Sequence, residues 1–186
     1  MKPGTVRIIA GQWRSRRLKV PDIKDLRPTP DRVRETLFNW LSQMIAGARC
    51  LDLFAGSGVL GFEALSRGAS KVVMVDESSE VVELLREQLQ LFHAENGEVV
   101  RAKIPGQLKL AEEPFDIVFV DPPYQSGLLL PVCKYLEEQK FLADGAYIYL
   151  EAAETIKDND LPLGWHIIKS SKAGQVAFHL VKRENK

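Results

Sequence analysis

The chain has 186 residues, 45% of them hydrophobic, and its 25 Lys and Arg balance its 25 Asp and Glu. This length suits one globular domain that buries about 70% of the surface of its unfolded chain. It holds neither an apolar run of membrane-spanning length nor the apolar core of a signal peptide, so the sequence predicts a cytoplasmic protein with no membrane partner.

Cysteine and histidine usage argues against a disulfide framework and a metal centre. Cys50 and Cys133 show no metal-ligand spacing, and His93, His166 and His179 are scattered along the chain. We therefore expect free core thiols and no metal. Nothing in the composition demands a dimer, and a monomer is expected.

The zero net charge hides an asymmetry between the two ends of the chain. Residues 1–49 carry eleven Lys and Arg against four Asp and Glu, a surplus of seven that the remaining residues reverse. A basic segment of this kind is typical of proteins that bind a phosphate backbone. The alternative is a solvated basic face without a partner.

Two short β-prone runs, at 5–10 and 16–20, predict an N-terminal hairpin with a longer loop. Trp13 lies in that loop among basic side chains. An aromatic ring beside guanidinium groups suits stacking on unpaired RNA bases. The alternative is that Trp13 packs the hairpin onto the core. The predicted RNA-binding residues are Arg7, Trp13, Arg14, Arg16, Arg17 and Lys19 in this segment, and Arg27 and Arg32 after it.

A helix is predicted after two X-Pro steps. Thr29 is the expected N-cap with Pro30 at the first helical position. The expected apolar face consists of Val33, Leu37, Trp40 and Leu41, and the arginines at or near the helix start are Arg27, Arg32 and Arg34.

Residues 50–61, CLDLFAGSGVLG, read as a buried strand, a tight glycine turn and the opening of a helix. Gly56 and Gly58 have no Cβ, so a ligand can lie against the main chain near the free N–H groups of the helix. GSGVLG also matches the G-x-G-x-x-G dinucleotide pattern. Asp52, however, would repel a pyrophosphate and favour the ammonium of a methionine moiety.

The next strand ends in Asp76, where a carboxylate can accept both hydroxyls of a ribose. An Asp-x-Phe-x-Gly-x-Gly turn followed by an acid at a strand end resembles the S-adenosylmethionine (SAM) pocket of class I methyltransferases. An ordinary α/β turn with an incidental acid is the alternative. The predicted cofactor residues are Asp52, Phe54, Ala55, Gly56, Ser57, Gly58, Asp76 and Glu77.

Strand and helix patterns then alternate, as in a doubly wound sheet. We expect strands at 72–75, 98–101 and 146–152 and helices at 78–92, capped by Ser78, and 128–138. A terminal hairpin is expected from 164–169 and 175–181 around a turn at 171–174, followed by a frayed tail from Arg183 to Lys186. The fold predicted is α/β: a mostly parallel seven-stranded sheet with a C-terminal antiparallel hairpin and a small N-terminal hairpin and helix.

A second candidate site follows the apolar run Phe115–Val120, whose strand leads into Asp121, Pro122, Pro123 and Tyr124. The carboxyl ends of parallel strands share one edge, so this site should face the glycine turn. The lone pair of an exocyclic amine is delocalised into the ring. If Asp121 and the Pro122 carbonyl accept the two amine hydrogens, that lone pair can point at a methyl donor, while Tyr124 stacks on an extruded base. The alternative is a plain turn.

The glycine turn and DPPY together resemble amino-methyltransferases, and RIIAGQWRSRRLKVP and LRPTPDRVRETLFNWL narrow the resemblance to the bacterial RsmD family. This family implies methylation of guanine N2 in small-subunit ribosomal RNA with SAM as cofactor. It implies that residues 1–45 form an RNA-contacting extension of a methyltransferase domain at 46–186, and that the loop at 27–29 approaches RNA and the pocket.

The sequence departs from the general methyltransferase pattern after the third strand. An acid or Asn often binds the adenine amine there, whereas this chain has Arg101, Ala102 and Lys103. Backbone groups and apolar contacts are therefore expected to hold the adenine. Glu151 is expected to have a structural role, with an approach to the pocket from its strand end as the alternative. The functional alternatives are adenine-N6 methylation of DNA or RNA, a non-catalytic ribosome assembly factor and, more remotely, an NAD-dependent oxidoreductase.

Overall fold

The computed structural model describes residues 4–23, 28–110, 113–123 and 126–184, and within them nine strands and four α-helices. The strands are β1 (Thr5–Arg7), β2 (Arg17–Lys19), β3 (Arg49–Asp52), β4 (Lys71–Asp76), β5 (Gly97–Arg101), β6 (Phe115–Val120), β7 (Leu142–Ala152), β8 (Trp165–Ala173) and β9 (Val176–Arg183). The helices are α1 (Asp31–Trp40), α2 (Val59–Ser66), α3 (Ser79–Leu91) and α4 (Leu129–Glu138).

Seven strands form one sheet in the order β5-β4-β3-β6-β7-β9-β8, and β1 pairs with β2 in a separate hairpin. The pairings from β5 to β7 are parallel, whereas β9 runs antiparallel to both of its neighbours. The strand order reverses between β3 and β6, and ligands of open α/β sheets gather at the carboxyl edge of such a switch point. The predicted fold class is confirmed.

The central strands are apolar on both faces because helices cover both. Five of the six residues of β6 are buried, as is typical of parallel strands. Phe119 belongs to an apolar cluster that also contains residues of β1, α1, α2 and α3, while its neighbour Val118 belongs to a cluster on the opposite face. The N-terminal hairpin and α1 therefore share their core with the helices that follow the glycine turn. Cys50 and Cys133 are buried free thiols, as predicted.

The two predicted helix caps had different outcomes. Ser78 caps α3 as predicted, since its side chain accepts a hydrogen bond from the N–H of Val81 at 3.4 Å. Thr29 as the N-cap of α1 is wrong. The cap is Pro30, whose carbonyl accepts the first helical bond from the N–H of Arg34 at 3.0 Å, while the Thr29 carbonyl accepts from the Arg34 side chain instead.

The C-terminal hairpin is longer than predicted. Residues 171–173 lie in β8, so the predicted turn is displaced to Gly174 and Gln175, with φ at +62° for Gly174. The predicted frayed tail is wrong at Arg183, because this side chain is buried and bonds to Glu137 at 2.8 and 3.1 Å and to Asp144 at 3.2 Å. Residues 185–186 lie outside the described part of the chain. Among the described helices, none is long and apolar enough to cross a membrane.

A pair of glycine substitutions tests how closely the hairpin loop approaches α2. Both Gly11 (φ +83°) and Gly47 (φ +78°) have left-handed backbone, but a Cβ at Gly11 would lie 1.9 Å from the carbonyl oxygen of Ser66, whereas one at Gly47 meets nothing within 4 Å. We expect Gly47→Ala to lower the free energy of unfolding by about 1 kcal/mol and Gly11→Ala by at least about 3 kcal/mol in urea titrations. Equal losses would contradict this contact.

Candidate active site

The glycine turn joins β3 to α2 at the carboxyl edge of the sheet. Gly58 has φ at +74°, and a Cβ there would lie 2.4 Å from a methyl carbon of Leu85. The position therefore requires glycine both for its backbone and for its packing. The turn is tied down by hydrogen bonds from the N–H of Gly58 to the Ala55 carbonyl at 2.7 Å and from the N–H of Ala55 to the Val75 carbonyl at 2.9 Å.

Asp76, at the end of β4, holds the turn against the neighbouring strand. Its Oδ2 accepts from the N–H of Gly56 at 3.0 Å, and its Oδ1 accepts from the N–H of Ser78 at 2.9 Å. An ionised carboxylate has about four acceptor sites. The half-buried Asp76 thus orients the turn and keeps unused acceptor capacity.

Asp52, at the end of β3, is a buried carboxyl with an unused oxygen. It is 2% exposed, and among the described residues its Oδ2 has no hydrogen-bond partner. The pKa of Asp52 is raised to about 7, chiefly by burial; the charge of Asp76 contributes to the rise, while backbone hydrogen bonds from Gly61 and Phe54 oppose it. A buried acceptor without a donor invites a cationic group or a donor from a ligand.

Strand register brings three carboxyl groups near one another at the carboxyl edge of the sheet. Asp52 lies opposite Phe119 in the parallel pairing of β3 with β6, so Asp121 follows two residues beyond. Val120 lies opposite Leu150 in the pairing of β6 with β7, so Asp121 and Glu151 come next on adjacent strands. Burial first, then the charges of Glu151 and Asp52, raise the pKa of Asp121 well above its usual range.

Glu151 is the member of this row for which the sequence favours a structural role over an approach to the pocket, and the alternative describes its position better. It is 4% exposed and accepts a hydrogen bond from the Tyr149 hydroxyl at 2.7 Å. The sequence pattern that points to a place for Glu151 in the site is an acid at a strand end, on the sheet edge that also carries Asp121. The structure brings Glu151 close enough to Asp121 to act on its charge.

The rest of the predicted acceptor motif is partly described. Pro122 is buried and Pro123 is exposed directly after Asp121. Tyr124, together with Arg27 of the predicted RNA-facing loop, lies outside the described residues.

The remaining predicted cofactor residues flank the turn. Ala55 and Ser57 are buried and Phe54 is half-buried, whereas Glu77 is exposed. The backbone carbonyl of Glu77 accepts from Nε of Arg101 at 3.1 Å. The basic residue that departs from the methyltransferase pattern therefore ties the end of β5 to the end of β4.

The basic side chains of the N-terminal segment are largely on the outside. Arg7 and Arg17 lie directly opposite each other across the hairpin, and Arg7 also forms an exposed ion pair with Asp31 at 3.6 Å. Arg17 also donates to the Thr5 hydroxyl at 3.1 Å. The guanidinium of Arg16 lies 3.8 Å from the ring centre of Phe92. The exposed predicted residues are Arg7, Arg14, Arg16, Arg17, Lys19 and Arg32.

Trp13 is placed in the core. Its indole is 8% exposed and lies 6.2 Å from the ring of Phe62 and 5.1 Å from the ring of Phe92. The packing alternative therefore describes this side chain, because a ring enclosed by two others is not free to stack on a base. Trp13 anchors the loop that carries the basic residues.

The sheet has this strand order and an antiparallel β9, with a glycine turn after β3 and an acid at the end of β4. These features define the class I methyltransferase fold. A family model described as "Conserved hypothetical protein 95" matches residues 6–182. The chain belongs to this family, the RsmD family of methyltransferases.

Relatives with these features are similar over nearly the whole chain. The proteins named ribosomal RNA small subunit methyltransferase D from Escherichia coli K12 and Haemophilus influenzae are 46% and 44% identical over 97% and 95% of this chain, and 91% and 93% of theirs. The solved structure of a putative methyltransferase, yhhF, from Escherichia coli superposes with a TM-score of 0.89 at 45% identity, covering 98% of this chain and all of that one.

The raised pKa of Asp52 predicts a pH-dependent stability. The unfolded chain ionises this carboxyl near pH 4 and the folded chain near pH 7, so its contribution to the free energy of unfolding falls between about pH 4 and pH 7 and is constant above. Asp52→Asn removes this loss. The stability of the variant minus that of the wild type should rise by up to about 4 kcal/mol over that window in urea titrations. A difference that does not change with pH would contradict the assignment.

Proposed function

We propose that this chain uses SAM to methylate the exocyclic N2 amine of a guanine in small-subunit ribosomal RNA. The observation that carries the proposal is the register of β3 with β6, which sets the glycine turn beside the Asp121 motif. Donor and acceptor sites that adjoin in this way suit direct transfer between two bound groups. The names of the curated relatives support ribosomal RNA as the substrate class.

The residues of the turn fit SAM. The unpartnered Oδ2 of Asp52 suits the ammonium of the methionine moiety, and the remaining acceptor capacity of Asp76 suits the ribose hydroxyls. Two carboxyls beside the turn disfavour a pyrophosphate, which argues against the dinucleotide alternative. The adenine would lie between the ends of β4 and β5, held by backbone and apolar groups. When bound, SAM supplies the methyl group as an electrophile on a positively charged sulfur.

Asp121 and the Pro122 carbonyl orient the amine. Each accepts one amine hydrogen, which turns the nitrogen lone pair away from the ring and toward the cofactor side. Pro122 and Pro123 fix φ in succession and hold that carbonyl in place. Tyr124, by its position in the motif, stacks on the target base.

The neighbouring carboxyl groups also make Asp121 a candidate proton acceptor. Burial and the neighbouring charges raise the pKa of Asp121, so its carboxylate is a better proton acceptor than an exposed one. The methylated nitrogen loses a proton after transfer, and the Asp121 carboxylate lies where it can receive it. Glu151 contributes through its charge next to Asp121.

The exposed face of the hairpin suits an RNA backbone. A phosphate near Arg7 and Arg17 would be attracted by both guanidinium groups, of which Arg7 is also paired with Asp31, and Arg14, Lys19 and Arg32 are further exposed basic side chains. Trp13 is not retained among the proposed RNA contacts because its ring is buried. Arg16 contributes less than the others, since its guanidinium packs on Phe92 and bonds to the Leu91 carbonyl at 3.3 Å.

Two substitutions separate the donor site from the acceptor site. Asp121→Ala should reduce turnover by at least about a thousandfold while leaving SAM affinity within about threefold. Asp76→Ala should weaken SAM binding at least about tenfold. It removes the carboxylate proposed to accept from the ribose hydroxyls, and it removes the acceptor for the N–H of Gly56 that holds the turn. Methyl transfer from labelled SAM and calorimetric SAM titration measure the two effects. A folded Asp121→Ala protein that no longer binds SAM would contradict this division, and Glu138→Ala on the exposed face of α4 is the control.

The substrate is tested by offering labelled SAM with unmodified small ribosomal subunits, naked ribosomal RNA and duplex DNA in parallel. Nucleosides from each digest are identified by mass spectrometry. We expect N2-methylguanosine from the ribosomal samples. N6-methyladenine would preserve the pocket chemistry and overturn the substrate. No transfer, with SAM binding intact and full biological rescue by Asp121→Ala, would favour the assembly factor.

A further inference from the structure

Glu63 is a fully buried carboxylate in α2, the helix that begins at the glycine turn. All eight residues of α2 are buried, so the carboxylate has no route to solvent. A buried charge is tolerated only where it is paired and hydrogen-bonded. The hydrogen-bond partners of Glu63 therefore show which parts of the chain are attached to α2.

Four groups donate to Glu63, and two of them are backbone N–H groups of the hairpin loop. Oε2 accepts from the N–H of Ile9 at 2.9 Å and from Nη1 of Arg34 at 3.4 Å. Oε1 accepts from the N–H of Ala10 at 3.0 Å and from Nε of Arg67 at 2.8 Å. Arg34 is itself fully buried and also donates to the Arg7 carbonyl at 2.9 Å, which ties α1 to the end of β1.

Ser66 extends the attachment by one turn of the helix. Its hydroxyl accepts from the N–H of Trp13 at 2.9 Å and donates to the Ala10 carbonyl at 2.6 Å. Its carbonyl accepts from the N–H of Gln12 at 2.8 Å. Five hydrogen bonds with residues 9, 10, 12 and 13, together with the close approach of Gly11, thus fix the loop between β1 and β2 along α2.

One rigid helix therefore has the proposed cofactor turn at its start and the root of the basic hairpin along its second half. We propose that Glu63 is a positioning residue for RNA methylation: it sets the basic hairpin relative to the cofactor turn, so that RNA bound by the hairpin presents its base at the right depth. This inference rests on the proposed function and deepens it. Glu63 acts through the hairpin and contacts no substrate.

Glu63→Gln tests the proposal because it keeps the shape of the side chain and removes the acceptor pair on one side. Whichever way the amide turns, its NH₂ group faces two donors, either Ile9 and Arg34 or Ala10 and Arg67, and that half of the attachment is lost. We expect the KM for RNA to rise about tenfold to a hundredfold, with the Kd for SAM and the kcat at saturating RNA within about threefold of wild type.

Two results would overturn the proposal. One is an unchanged KM for RNA in folded Glu63→Gln protein; the other is a rise in the Kd for SAM as large as the rise in KM, which would make Glu63 a support of the cofactor turn. Glu138→Gln, an exposed carboxylate 3.7 Å from Lys134 on α4, is the matched control. If Glu63→Gln does not fold, Ser66→Ala decides: it should raise the KM at least about threefold, and an unchanged KM overturns the proposal.

A double-mutant cycle separates positioning from general destabilisation. The Arg14→Ala, Arg17→Ala protein lacks exposed charges that the hairpin would present to RNA. If Glu63 acts by placing those charges, adding Glu63→Gln to that protein should raise the KM by no more than about twofold, far less than in the wild type. Fully additive effects would overturn the proposal. A wild-type protein that methylates no RNA would refute the proposed function instead, so the two failures are distinguishable.

Discussion

The parallel pairing of β3 with β6 is the constraint on which the site depends. It crosses the point where strand order reverses, and it sets Asp52 opposite Phe119 and hence close to Asp121. A slip of one residue would turn every side chain of a strand to the other face. Close packing of differently shaped side chains on both faces opposes such a slip, so the packing of the core and the spacing of the two halves of the site have one physical cause.

Three carboxyl groups are concentrated at a buried part of the sheet edge, where little water can solvate their charges. Asp52, Asp121 and Glu151 end three adjacent strands, and the pKa values of Asp52 and Asp121 are raised chiefly because burial penalises their charged forms. Such a row costs stability, and a cationic cofactor would offset that cost on binding. The buried Glu63 differs, because Arg34 and Arg67 already balance it within the protein. Glu63 is thus balanced within the protein, whereas Oδ2 of Asp52 has no hydrogen-bond partner among the described residues.

The sequence was informative where local patterns carry the signal. Alternation of apolar runs with glycine turns predicted the sheet, and Ser78 was recognised as a cap by its own side chain. Contacts between residues that are distant in the sequence could not be predicted from it. Trp13 has the same neighbours along the chain whether it stacks on RNA or packs against Phe62 and Phe92, and only the fold separates the two. Glu63 gave one usable signal, a single acid within the apolar run VLGFEALS, but its partners at Ile9 and Ala10 lie more than fifty positions away.

The position of β9 bears on how the chain is made. β9 is the last strand in sequence, yet it lies between β7 and β8 rather than at an edge of the sheet. During synthesis β7 is made before β9. Until β9 pairs with it, the backbone groups along this edge of β7 are unpaired, next to the residues Ile148 and Leu150 that are buried in the folded protein. An open strand edge of this kind recruits other chains. β9 thus covers this edge of β7, and a chain that stops before Val176 leaves β7 without that cover.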